Sequence, residues 1–159
     1  WSSDVCSSDL LAKWALALAC LIFLMILSGG LVAGIRAGFA YNTFPLMNGQ
    51  LVPAEIFLLE PWYLNVVNNM ATVQFNHRLL AACILVLGAY LWIRAEALES
   101  VRAARFSVRC LAVLVVVQIV LGVSTLLLVV PVPLAAAHQA GAMLVLTAAL
   151  VVVNRLRNC

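Results

Sequence analysis

Four long apolar runs, separated by polar or proline-rich segments, set the pattern of this chain. They extend from about Leu11 to Gly34, Thr72 to Ile93, Cys110 to Val130 and Leu134 to Val153. Crossing a bilayer as a helix takes about 20 mostly apolar residues. The runs are continuous, whereas the strands of a membrane barrel alternate between apolar and polar positions. The pattern therefore predicts an all-α integral membrane protein, an antiparallel four-helix bundle. Between the first two runs lies a long segment, Ile35 to Ala71, with Pro45, Pro53 and Pro61. Its stretch Pro53 to Tyr63 is expected to form a short interfacial helix, with Trp62 and Tyr63 at headgroup level. The link Arg94 to Arg109 is polar and basic, and Pro131-Val132-Pro133 is read as a tight turn holding the last two helices together.

Composition strengthens the membrane reading. The 159 residues are 66% hydrophobic and 9% charged, against about 45–50% and about 25% in soluble domains. Such a surface suits lipid and excludes a nucleic-acid partner. The net charge of +3 is unevenly placed. Lys13, Arg94, Arg102, Arg105, Arg109, Arg155 and Arg157 fall on one side, Arg36 and Arg78 on the other. The positive-inside rule then puts both termini on the cytoplasmic or matrix side. A bacterial plasma membrane is the first expectation, and a mitochondrial inner membrane fits equally in topology.

Five cysteines supply no framework. There is no CxxC pair of the zinc or thioredoxin type and no CxxCH, so any haem would be held without thioether bonds. Cys20, Cys83 and Cys110 are expected to be small buried hydrophobes. The first ten residues are polar and serine-rich without a basic start. They are read as an assembly artefact or non-native leader preceding a four-span unit, residues 11–159, from which an N-terminal part is missing.

The chemistry concentrates in His77 and His138, the only two histidines. Each lies about five residues, or roughly 7–8 Å, inside the same end of its run. Ionisable groups within a membrane are costly and usually serve a task. Facing helices of a bundle can present side chains to one cofactor, and imidazole is a haem iron ligand. A bis-histidine haem is the leading assignment. Another metal, for which zinc would want more ligands, and a purely structural pair remain alternatives. A proton relay lacks carriers, because no Asp or Glu is expected inside any span.

Neighbouring residues have two readings each. Arg78 could pair with a haem propionate or snorkel to the headgroups, and Arg36 has the same ambiguity. Gln74, three residues before His77, shares its helical face; it can hydrogen-bond beside a cofactor but not act as acid or base. Gln118 is read as an interhelical hydrogen-bonding group. Gly30, Gly34, Gly122, Ser124, Thr125, Ala81 and Gly141 would open room for a flat macrocycle, or else let helices approach closely.

Three strings carry a resemblance: Ala37-Gly-Phe-Ala-Tyr-Asn-Thr-Phe-Pro-Leu-Met47, Val73-Gln-Phe-Asn-His-Arg78 and Pro131-Val-Pro-Leu-Ala-Ala-Ala-His-Gln139. With them the chain resembles the C-terminal half of the haem A synthase family, in its proteobacterial and mitochondrial form. The resemblance implies two four-helix bundles related by a pseudo-twofold, each with a histidine pair on its second and fourth helices. It implies the conversion of haem O to haem A by oxidation of a ring methyl to a formyl group. It also implies that His77 and His138 are axial ligands of a haem b. The catalytic glutamate of the family's ExxHR motif is not carried over, since Gln74 stands at that position. Asn68 departs too, where an acidic residue often precedes the asparagine matching Asn69. The implied partners are lipid, the missing N-terminal half, the substrate haem O and the haem O synthase. Two rival readings remain: a small quinol-linked membrane cytochrome, or a non-enzymatic bundle such as half of a transporter.

Overall fold

The computed structural model describes residues 2–158. Four long helices dominate: α1 (Ser2–Gly34), α2 (Met70–Ala97), α3 (Arg105–Leu127) and α4 (Val132–Arg157). All four are long and apolar enough to cross a membrane. They pack as a ring in chain order, α1 on α2 and α4, and α3 on α2 and α4. The diagonal pairs are thus α1 with α3 and α2 with α4. Contacts at both ends establish that α1 and α2 are antiparallel: Trp14 meets Tyr90 edge to face at 6.0 Å, while Gly29 lies against His77. The expected all-α bundle is the observed one.

Element boundaries differ from the expected ones in informative ways. Of the leader, Trp1 lies outside the described residues, and the backbone from Ser2 onward continues α1 without a break. The third helix stops at Leu127, and the chain reverses at Leu128–Val130, with Val129 and Val130 at φ 59° and 56°. Pro131 is the N-cap of α4, and Pro133 sits in its first turn. The prolines therefore start a helix and do not make the turn; the first helical positions need no N–H donor, so proline is tolerated there. The Arg94 to Arg109 link shrinks to a 3₁₀ segment, Glu99–Ala104, because both flanking helices extend into it. Arg105 fastens this corner, donating to the carbonyls of Ala95 and Leu98 and to Glu99.

The stretch Pro53 to Tyr63 is not the expected helix. It forms turns and then a 3₁₀ turn, Trp62–Leu64, followed by a single turn of α-helix, Asn65–Asn68. The cause is Asn65, which is fully buried. Its side chain accepts from the Leu59 N–H and donates to the Leu59 and Trp62 carbonyls. Those bonds satisfy backbone groups that a helix would otherwise pair. Trp62 and Tyr63 are largely exposed, 68% and 56%, as headgroup-level residues would be.

The close-packed core occupies only the half of the bundle nearer the termini. Leu11, Ala15, Leu18 and Ile22 come from α1, Ile84, Leu91 and Ala95 from α2, Val108, Leu111 and Val115 from α3, and Val145, Val152 and Leu156 from α4. Large apolar side chains such as Phe23, Val86, Val113 and Leu144 are exposed on the outside. Cys20 and Cys83 are exposed as well, and Cys110 is half-buried. This corrects the expectation of buried cysteines: they lie on the outer surface of the bundle, where a small apolar group is compatible with lipid.

Candidate functional site

Above that core the helices carry no buried residue over one stretch each: between Ile22 and Gly34, Gln74 and Ile84, Val115 and Thr125, and from Val132 to Val145. The two histidines occupy this stretch. His77 comes from α2 and His138 from the diagonal helix α4. Gly29 of α1 and Gly122 of α3 lie at the same level. All four sit five to seven residues inside their helix ends, roughly 8–10 Å deep.

Each imidazole is seated against a glycine. A Cβ placed on Gly29 would lie 3.5 Å from the Cε1 atom of His77. One placed on Gly122 would lie 2.8 Å from Cε1 of His138 and 3.3 Å from its Nε2, too close for any side chain without a shift of the ring. By contrast, Gly30 and Gly34 have open space around them, so that GxxxG pattern is not a helix contact. Gly141 has a different use: the Gln118 side chain fills the room above it. There Gln118 Nε2 donates to the His138 carbonyl at 2.6 Å, the interhelical bond expected of it.

The polar surroundings of the two rings differ. Ser28 Oγ lies 3.2 Å from His77 Nδ1. His138 Nδ1 is buried without a hydrogen-bond partner. Ser28 and Gly29 were not among the residues singled out from sequence. Their signal, a lone hydroxyl beside a glycine in an apolar run, is too common to find them by.

Arg78 and Gln74 face the loop between α1 and α2. Arg78 donates to the carbonyls of Tyr41, Thr43, Pro45 and Leu46 and to Gln74 Oε1. Gln74 in turn donates to the Ala37 carbonyl. The helix bearing His77 is thereby tied to the loop that covers this end of the bundle. Asn42 continues the tie to α3 by donating to the Leu126 carbonyl, and Asn69 caps α2 through the N–H groups of Ala71 and Thr72. Within the loop Tyr41 donates to Glu55 at 3.2 Å. Burial holds its phenol above the ordinary value, and the hydrogen bond and charge of Glu55 add to that. A cavity of about 520 Å³ opens here, lined by Tyr41, Glu55, Asn68 and Asn69 among others; neither histidine lines it.

The donor set fits a haem. Among the described residues no group of three or more His, Cys, Asp or Glu side chains gathers anywhere. A metal ion bound only by protein would want more than two ligands. A porphyrin would supply its own equatorial nitrogens and need only two axial donors, and Gly29 and Gly122 leave room for the two imidazoles at one level.

Comparison with known proteins identifies the family. Residues 2–150 match the family described as cytochrome oxidase assembly protein, COX15-CtaA. The chain belongs to this family. Among its relatives, the haem A synthase of Nitrosospira multiformis is 54% identical over 148 residues, 93% of this chain and 42% of that protein. The haem A synthase of Nitrosomonas eutropha is 50% identical over 97% of this chain and 43% of its own length. The human haem A synthase COX15 is 40% identical over 93% of this chain and 36% of its own length. The chain thus spans about two-fifths of the bacterial haem A synthases it matches. No solved structure matches it. Membership of this membrane-protein family agrees with the four apolar helices.

Proposed function

We propose that this chain is the resident-haem half of a haem A synthase, holding a haem b between His77 and His138. The observation that carries the proposal is the diagonal pairing of the only two histidines at one level, each on a glycine seat. The rings are presented from parallel helices, α2 and α4, with α1 and α3 supplying the small residues between them. When bound, a haem b there supplies one-electron transfer or a structural strut. The chain's own residues do the rest. Gly29 and Gly122 admit the rings, Gln118 fixes the backbone of α4 beside His138, and Arg78 with Gln74 locks the covering loop.

The oxidation of haem O to haem A belongs to the longer protein, because Gln74 occupies the position where the family's other half has its glutamate. An amide cannot accept a proton as a carboxylate does. The partners of the proposal are lipid, the preceding half, haem O and the haem O synthase that delivers it. The seven basic residues near the inner end support termini on the cytoplasmic side of a bacterial plasma membrane, or on the matrix side of a mitochondrial inner membrane.

The test is expression in membranes with added haem. The purified protein should show the absorption spectrum of low-spin bis-histidine haem b, and that spectrum should be absent from His77→Ala and from His138→Ala. A wild-type protein that binds no haem would overturn the proposal. Formation of formyl haem by this chain alone would overturn the division of labour.

A further inference from the structure

The two imidazoles are held differently, and the difference assigns them different duties. This inference rests on the haem-binding reading above. We infer that Ser28 is a positioning residue that makes His77 the anchored axial ligand and leaves His138 the displaceable one.

The argument begins with the ring nitrogens. A neutral imidazole has one N–H and one lone pair, and the partner of one nitrogen decides which is which. The tautomer that frees Nε2 of His77 for iron is the one whose Nδ1–H donates to Ser28 Oγ, 3.2 Å away. Ser28 is on α1 and His77 on α2, so the bond also sets the ring's rotation relative to a second helix. Gly29, next in the chain, leaves the ring room, since a Cβ there would already lie 3.5 Å from Cε1. Such a second partner raises ligand basicity, and its loss typically costs 10–100-fold in metal affinity.

His138 has a glycine seat too but lacks the hydrogen-bond partner. Among the described residues neither of its ring nitrogens carries a hydrogen bond, and Nδ1 is buried with none. Gln118 holds the His138 carbonyl, which fixes the backbone and gives the ring nitrogens no partner. Gly122 packs against the His138 ring but, having no side chain, offers its nitrogens no hydrogen-bond partner. Both rings pack on a glycine, but only His77 has its tautomer set by a hydrogen bond to a second helix. A haem held this way exposes the His138 face of its iron to a competing ligand first.

The experiment uses the haem-loaded protein purified from membranes. His138→Ala should keep its haem as a high-spin species ligated by His77, while His77→Ala should retain at least ~10-fold less. Ser28→Ala should remove most of that difference, lower haem retention roughly 10–100-fold and raise the midpoint potential, since a less basic imidazole stabilises ferric iron less. Ser28→Thr should restore both. Carbon monoxide added to the reduced wild-type protein should bind with loss of one histidine, and His138→Ala should bind it with little further gain. Equal haem loss in the two histidine variants, or a Ser28→Ala protein with unchanged retention and potential, overturns the inference while leaving the haem site intact. Absence of haem from the wild type overturns both, and is seen before any variant is made.

Discussion

The two halves of the bundle hold together by different means. Toward the termini, Leu18, Leu91, Val108 and Val152 interlock with scarcely a polar atom. Toward the histidines, almost every fixed contact is a side chain bonded to a backbone carbonyl: Arg78 to four loop residues, Gln74 to Ala37, Asn42 to Leu126, Gln118 to His138. The first half is a clamp and the second a framed opening. Apolar packing fills space, so it cannot coexist with a planar cofactor between the helices. Directional bonds around the rim fix the helix ends and leave the middle available.

The comparison can be broken most strongly at Arg78. Arg78→Ala strips four loop carbonyls of a charged donor, and hydrogen bonds to charged groups contribute about 1.5–3 kcal/mol. Amide hydrogen exchange over residues 41–47 should rise roughly a hundredfold, with α1 to α4 still protected near Leu18. Unchanged loop exchange would mean that the rim is held otherwise. Leu18→Ala attacks the clamp. It should lower stability by about 2 kcal/mol, the low end for such deletions, because lipid tails are as apolar as the interior and the transfer contribution is missing. Its haem spectrum should stay normal, and a lost spectrum would show that the two halves are not separable.

Smaller effects sharpen the contrast within the opening. Gly122→Ala must push the His138 ring aside and should cost about 1–3 kcal/mol of strain, visible as an altered haem spectrum. Gly30→Ala, one turn from Gly34 and facing open space, should change nothing. The smallest effect is at Tyr41. Its phenol titrates above the ordinary value because of burial and then Glu55. The folded state therefore favours the protonated form, a contribution present below about pH 10 and lost as pH rises through the shifted value. Absorbance at 295 nm should place the tyrosinate midpoint of Tyr41 above the ordinary value, and a Glu55→Gln protein should move it back toward that value.

How much of this was legible depends on the half. The clamp follows from apolar runs, and its helix ends were expected within five residues except the start of α1, which lies nine residues earlier, at Ser2. Helix ends were misjudged where prolines or polar links obscured them: Pro131 and Pro133 open α4, and Asn65 replaces an expected helix with a bonded loop. In the opening, the histidine pair and Gln118 were evident because polar groups stand out in an apolar run. Arg78 was seen as a residue but not as a bracket, since its acceptors are carbonyls contributed by any residue type. Ser28 and Gly29 were not seen at all.

The amino-acid sequence alone determined that the chain has four runs apolar and long enough to cross a membrane, that two imidazoles lie at one depth, and that an amide, Gln74, stands three residues before His77. Each is a property of one segment: its hydropathy, its length, or the identity of a residue at a fixed offset. The tertiary structure decided which glycine seats which ring, which histidine has a hydrogen-bond partner, and what Arg78 holds. Those depend on how far each helix is rotated about its own axis, and that rotation is settled only when all four pack together.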